Sequence, residues 1–233
     1  MGLRLEELFL GYGNKVVVRG ISLEVRDGEI VALLGHNGAG KTTALKGIMG
    51  LLKPYRGKVL FDGEDKTGWP AKDSVARGMA YVPQGSGLFP DLTVAYNLEL
   101  ASYTVGDPSA IEARQAEAFR LFPILEKRRG QTSRTLSGGE QRMLSVAMAL
   151  MTKPKLLMMD EPSLGLAPLL VEHLMDAVRA INAEMGTAVL LVEQNVKQAL
   201  ATARRAYVMK VGQIILEEDT RALRDRQHLW ELF

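Results

Sequence analysis

An apolar run over Glu29–Leu34 opens directly onto Gly35-His36-Asn37-Gly38-Ala39-Gly40-Lys41-Thr42, and Lys41–Leu52 is rich in helix formers with Gly50 near its end. No other stretch limits the fold as tightly. A short run of Val, Ile and Leu without polar alternation reads as a strand buried on both faces, the kind found in a parallel sheet covered by helices. The glycine turn gathers backbone N–H groups at a helix N-terminus, where they present positive partial charge without bulky side chains. A polyphosphate is the matching ligand. The spacing fits G-x-x-x-x-G-K-[ST], in which Lys41 adds a full charge at the β- and γ-phosphates and the Thr42 hydroxyl ligates Mg²⁺. A plain glycine turn would need neither the lysine nor the threonine.

A second buried run, Lys155–Met159, ends in Asp160-Glu161-Pro162. Charges at the tip of a buried strand are costly unless paired or metal-bound. Successive strand side chains diverge, so the two acids can serve different ends. Asp160 suits the Mg²⁺ shell and Glu161 a general base acting on the attacking water. By itself the pair reads equally well as a solvated strand end beside a proline turn; the phosphate loop decides between them. Ser137-Gly138-Gly139-Glu140 also has two readings. S-x-x-E is a capping box, and Met143, Val146, Ala147 and Leu150 follow at helical spacing. Glycines placed straight after a cap cost roughly 1 kcal/mol each against alanine, and they leave bare N–H groups open to an anion. Cap and phosphate contact are compatible.

In this order, the phosphate loop, Leu136-Ser137-Gly138-Gly139-Glu140 and the acidic strand end resemble the ATP-binding subunit of an ABC transporter over nearly the whole chain. The resemblance implies an α/β fold with a P-loop core containing a mixed sheet, an N-terminal antiparallel β subdomain and an inserted helical lobe. The core would comprise residues 1–87 and 154–233, the lobe residues 88–153. ATP and Mg²⁺ are the implied cofactors, with Asn37, Gly38, Gly40, Lys41, Thr42 and Thr43 around the phosphates. Tyr12, in Gly11-Tyr12-Gly13, would stack on adenine. Gln84 would reach Mg²⁺ and the attacking water while linking to the membrane partner. Ser137, Gly138 and Gly139 would contact the γ-phosphate of ATP held by a second copy. Outside this resemblance Tyr12 is an ordinary surface aromatic and Gln84 a polar loop residue.

Asp160–Pro168 and Leu191-Val192-Glu193-Gln194-Asn195 resemble the branched-chain amino acid branch of importers, whose near relatives serve urea, amides and other small solutes. The implied partners are membrane permease subunits, a second identical or paralogous ATPase in a head-to-tail dimer and, indirectly, a solute-binding protein. The implied location is the cytoplasmic face of the membrane. The chain departs from the family in three places. Val82–Pro90 reads VPQGSGLFP where that branch often has Val-Pro-Glu-Gly-Arg-Arg, so the solute stays open. Ser163-Leu164-Gly165-Leu166 lacks the usual Asp. Gln194 stands where most members have His, and glutamine can hydrogen-bond a γ-phosphate but cannot carry a proton as imidazolium does. Gln194 is therefore read as a γ-phosphate sensor beside the base Glu161. Phe89, Leu92, Val94 and Tyr96 either pack in the lobe or line a groove for a permease helix.

A net charge of +2 argues against a broadly basic nucleic-acid binder. The absence of cysteine removes disulfides and cysteine–metal sites. No apolar run reaches the ~20 residues that span a bilayer, and Met1–Glu6 lacks a signal-peptide profile. Leu3–Leu8, Ile21–Val25 and Lys58–Phe61 read as an antiparallel sheet, Gly78–Pro83 and Thr187–Val192 as further core strands, and Ala206–Val211 with Gln213–Glu217 as a hairpin. Ser109–Glu112 predicts a cap for a helix over Ala113–Phe122, stopped by Pro123. Pro168–Met185 predicts a helix with an apolar face and Gly186 as its C-cap. Two rival functions share parts of this pattern. DNA-repair and chromosome ATPases carry long coiled coils, for which no sustained heptads exist here. A nucleotide-sensing scaffold with little hydrolysis is favoured by the missing His and opposed by Glu161.

Overall fold

A computed structural model describes residues 2–225; Met1, read with the start of the chain, and residues 226–233, assigned to the core, lie outside the described residues. The hairpin of β1 (Leu3–Tyr12) and β2 (Lys15–Val25) leads into β3 (Ile30–Leu34), the glycine loop and α1 (Lys41–Met49). β4 (Arg56–Phe61) and β5 (Glu64–Asp65) follow, then α2 (Ala71–Ala76) and β6 (Met79–Val82). Helices α3 (Val94–Ala101), α4 (Pro108–Leu121), α5 (Pro123–Lys127) and α6 (Gly138–Leu150) fill the stretch before β7 (Leu156–Asp160). Next come α7 (Pro168–Met185), β8 (Ala188–Glu193), α8 (Val196–Thr202), β9 (Arg205–Lys210), β10 (Gln213–Asp219) and α9 (Thr220–Arg224).

Two sheets result. An antiparallel sheet has the order β2-β1-β4-β5, and a six-stranded sheet runs β10-β9-β3-β8-β7-β6. In the latter β6, β7, β8, β3 and β9 are parallel and only β10 is antiparallel, so the sheet is mixed as expected. Every residue of β3, β7 and β8 is buried, which is why these strands read as unbroken apolar runs. β1 is longer than its sequence pattern suggests. The alternation Leu3, Leu5 changes phase at Leu8, Leu10, and the pairing register shifts between Leu5 and Leu8. Glu7 takes φ 43° in that interval. This bulge keeps all four leucines buried on both sides of the phase change.

The predicted start of the second lobe helix is corrected. Asp107, not Ser109, accepts the capping bond, from the Ser109 N–H, and Pro108 occupies the first turn. Pro123 does not simply stop that helix: Phe122 breaks it, and Pro123 begins α5. α7 and its left-handed Gly186 cap fall where predicted. At Ser137 the capping box forms in full.

Lys66 is an unexpected core residue, 1% exposed. Its ammonium donates to the Ile48 carbonyl at the end of α1 (2.6 Å), to Ser74 Oγ on α2 (2.7 Å) and to Met79 Sδ on β6 (3.1 Å). Burial lowers its pKa from 10.5 to about 8. The unfolded chain keeps this proton up to the ordinary value, so between pH 8 and 10.5 the unfolded state binds more protons and stability rises with pH. Denaturant titrations should show wild type gaining on Lys66→Met across that window by on the order of 2 kcal/mol. A difference that stays flat with pH would mean that the buried amine remains charged.

Candidate nucleotide site

The loop between β3 and α1 lies at the C-terminal edge of the parallel sheet, where open α/β sheets place their ligands. A Cβ on Gly35 would stand 2.3 Å from the Met209 carbonyl, so only glycine lets the loop pass β9. Gly40 caps α1 at φ 108° and offers no side-chain acceptor, which leaves the first-turn N–H groups to an outside anion. Lys41, 4% exposed, is held inward. Its Nζ donates to the carbonyls of Gly35 (2.7 Å) and His36 (3.1 Å) and pairs with Glu161 Oε1 at 3.0 Å.

The two acids diverge as the strand geometry requires. Asp160 is the last residue of β7 and fully buried. Thr42 Oγ1 donates to its Oδ1 and the Tyr81 hydroxyl to its Oδ2, each at 3.1 Å. Burial raises the Asp160 pKa, opposed by those two bonds; the Glu161 charge adds to the rise and Lys41 opposes it. Thr42 and Asp160 are a pair of hard oxygen donors in contact, which suits Mg²⁺, an ion that takes one or two protein ligands plus waters and phosphates. Glu161 sits at φ 47°, a left-handed conformation costing on the order of 1–3 kcal/mol for a non-glycine residue. Its N–H donates to the Val192 carbonyl, and Gln84 Nε2 donates to its Oε2 at 3.0 Å.

A cavity of about 270 Å³ brings the predicted phosphate residues Asn37, Gly38, Gly40, Lys41, Thr42 and Thr43 together with Gln84 and Glu161. Val17 on β2 also lines it, a position the sequence reading missed. Other predicted residues stand apart from this cavity. Tyr12 is half exposed at the end of β1. Gln194 is exposed just after β8. Ser137, Gly138 and Gly139 begin α6, with Ser137 and Gly138 exposed and Gly139 packed against Leu170.

Three supporting residues had no sequence signal of their own. Tyr81 looks like an ordinary strand aromatic until its hydroxyl meets Asp160. Arg142 on α6 donates to the carbonyls of Pro83 (2.7 Å), Gly85 (3.3 Å) and Gln84, so the helix begun by Ser137 grips the Gln84 loop. Glu193, 1% exposed, accepts from the Ser163 N–H (3.0 Å) and Oγ (2.8 Å) and fixes the turn after Glu161. Burial raises its pKa.

The sequence model of ABC transporters matches residues 18–164. The chain belongs to the ABC transporter ATP-binding family. The branched-chain amino acid transport ATP-binding protein BraG of Pseudomonas aeruginosa is 39% identical over 95% of this chain and 94% of its own length. The lipopolysaccharide export ATP-binding protein LptB of Escherichia coli is 32% identical over 99% and 96%. Among solved structures, the ADP conformation of MJ1267, an ATP-binding cassette of an ABC transporter, has TM-score 0.88 at 26% identity, covering 99% of this chain and 97% of that one. The MJ0796 cassette, seen as a dimer in a post-hydrolysis state with ADP and phosphate, has TM-score 0.82 at 26% identity, covering 94% and 99%. The subunit is thus an ABC ATPase.

The bond from Tyr81 holds the Asp160 pKa down, so its loss lets that pKa rise. Tyr81→Phe should move the acid limb of the ATPase pH profile to higher pH and raise the Mg²⁺ concentration needed for half-maximal rate. An acid limb unchanged from wild type would remove Tyr81 from the support of Asp160.

Proposed function

We propose that this subunit hydrolyses MgATP to drive an importer for branched-chain amino acids or related small polar solutes. The observation that carries the ATPase chemistry is the convergence of Lys41, Thr42, Gln84 and Glu161 on one cavity, with Asp160 bound to Thr42. Lys41 and the α1 amides bind the phosphates. Thr42, Asp160 and Gln84 hold Mg²⁺, which when bound neutralises phosphate charge. Glu161 is the general base. A phosphate that takes up the Lys41 ammonium leaves Glu161 to polarise water, with Gln84 orienting it. Gln194 hydrogen-bonds the γ-phosphate as a sensor, and Tyr12 stacks on adenine.

Ser137, Gly138 and Gly139 read the γ-phosphate in a second subunit, identical or paralogous, related by a two-fold axis. Gly138 supports this reading: it has an ordinary φ, and a Cβ there would meet nothing within 4 Å, so the fold itself does not demand glycine. Among the described residues, 88–153 form the permease-facing lobe, and 2–87 with 154–225 the core. Val94 is fully buried and leaves the set of groove residues. The docking surface is instead a 390 Å³ groove with Leu92, Tyr96, Leu100, Tyr103 and Ile111 along α3 and α4. Tyr96 and Tyr103 are 60% and 86% exposed. No helix among the described residues is long and apolar enough to cross a membrane. The permease holds the subunit at the cytoplasmic face, and the solute-binding protein acts through it; no nucleic acid takes part.

The import reading is supported by BraG and by LivF of Archaeoglobus fulgidus, the latter 36% identical over 91% of this chain and 89% of its own length. Purification with the native membrane subunits tests it. Reconstituted vesicles should take up leucine with ATP; stimulation by lipopolysaccharide instead would favour the export reading suggested by the LptB relatives.

Lys41→Ala should abolish phosphate release. Glu161→Gln should cost about 10²–10⁴-fold in kcat, as loss of a general base does, and should enrich an ATP-bound dimer in sedimentation. Gln194→Ala should cost about tenfold or less, the worth of a neutral hydrogen bond. Equal damage from the last two would overturn the ranking of Glu161 above Gln194.

A further inference from the structure

One side chain braces both neighbours of Tyr12. Tyr55 lies in the loop that enters β4, tied to β1 by its N–H, which donates to the Phe9 carbonyl at 2.9 Å. Its hydroxyl donates to the Gly13 carbonyl at 2.7 Å. Its ring edge covers Gly11 so closely that a Cβ there would stand 2.9 Å from Tyr55 Cε2. Gly13 is left-handed, at φ 56°, and begins the two-residue turn of the β1–β2 hairpin. The pairing register also shifts between Leu10 and Gly11. Gly11 is held by its pairing with Val16, but Gly13 in the turn would otherwise leave the residue after Tyr12 pliant, since glycine restricts φ least. Tyr55 restrains Gly13 through its hydroxyl and packs on the strand-paired Gly11 while leaving the Tyr12 ring half exposed.

We infer that Tyr55 is a positioning residue for base recognition: it pre-orders the Gly11-Tyr12-Gly13 tip so that Tyr12 presents a fixed aromatic face to the purine of the nucleotide. The inference rests on the proposed stacking of Tyr12 on adenine. A platform ordered in advance does not lose that freedom on binding, so the brace contributes affinity without touching the ligand. Tyr55 contacts neither the phosphate loop residues nor Glu161 in any of these bonds, and its influence is confined to the base end of the nucleotide.

The test compares MgATP with Mg-tripolyphosphate, which offers the same phosphates without a base, in direct binding to Tyr55→Phe, Tyr12→Ala and the double variant. Tyr55→Phe keeps the ring and removes one neutral hydrogen bond, so ATP affinity should fall about three- to tenfold while tripolyphosphate affinity stays at the wild-type value. In the Tyr12→Ala background the same change should have little further effect, because the platform it orders is gone. If Tyr12→Ala weakens ATP selectively but Tyr55→Phe does not, the brace is overturned and the stacking stands. If Tyr55→Phe weakens both ligands alike, its role is general to the fold and the inference fails. If Tyr12→Ala leaves the preference for ATP over tripolyphosphate intact, the stacking itself falls, and the inference with it.

Discussion

The Lys41 ammonium organises the site. Buried, and bonded to the carbonyls of Gly35 and His36, it draws the acceptors of the glycine loop inward. A loop whose carbonyls face its own lysine turns its N–H groups the other way, and that separation of donors from acceptors makes an anion cradle. Glu161 completes the arrangement as the lysine's counter-charge, at the cost of a left-handed backbone at the end of β7. A buried charge needs this company, since removing one partner leaves the other uncompensated. The same ammonium therefore serves both the loop carbonyls and the Glu161 carboxylate.

Around this pair the supports reach into different elements. Gln84 touches Glu161, and its own backbone is gripped by Arg142 and, through Ser86, by Ser145 on α6. Helix α6 and the Gln84 loop are thereby tied together through the carbonyls of Pro83, Gln84, Gly85 and Ser86. Arg142 on α6 reaches the Gln84 backbone and the Gln84 side chain reaches Glu161, a contiguous network of the sort through which distant residues can influence each other. On the other flank, Glu193 clamps Ser163 and so fixes the turn that follows Glu161.

Much of this was legible in the sequence, because strand burial, glycine spacing and the acidic strand end are local signals. β3, α1, β7 and α7 follow from apolar period and caps alone. The bulge at Glu7 hid the second half of β1, since a single extra residue reverses the alternation. The cap at Asp107 was obscured by Ser109, a second cap-competent residue that instead donates its N–H to that Asp. Tyr81, Arg142 and Tyr55 were invisible for a different reason. Each acts through long-range hydrogen bonds to backbone or carboxylate oxygens, and no spacing rule encodes partners so distant in the chain.

The strand order has a consequence for how the protein comes into being. β3, which carries the glycine loop, pairs on one side with β8 and on the other with β9: Ile30 lies opposite Val189, and Leu33 opposite Tyr207. A ribosome releases β3 long before either neighbour exists. Until they arrive, its five apolar residues have no sheet to join, and non-local pairing of this kind is slow and prone to aggregation. The nascent subunit thus has its phosphate loop in sequence well before it has the framework that shapes it. The loop takes its shape against β9, where Gly35 passes the Met209 carbonyl, so the segment that reads as a phosphate loop is completed by one of the last core strands to be made.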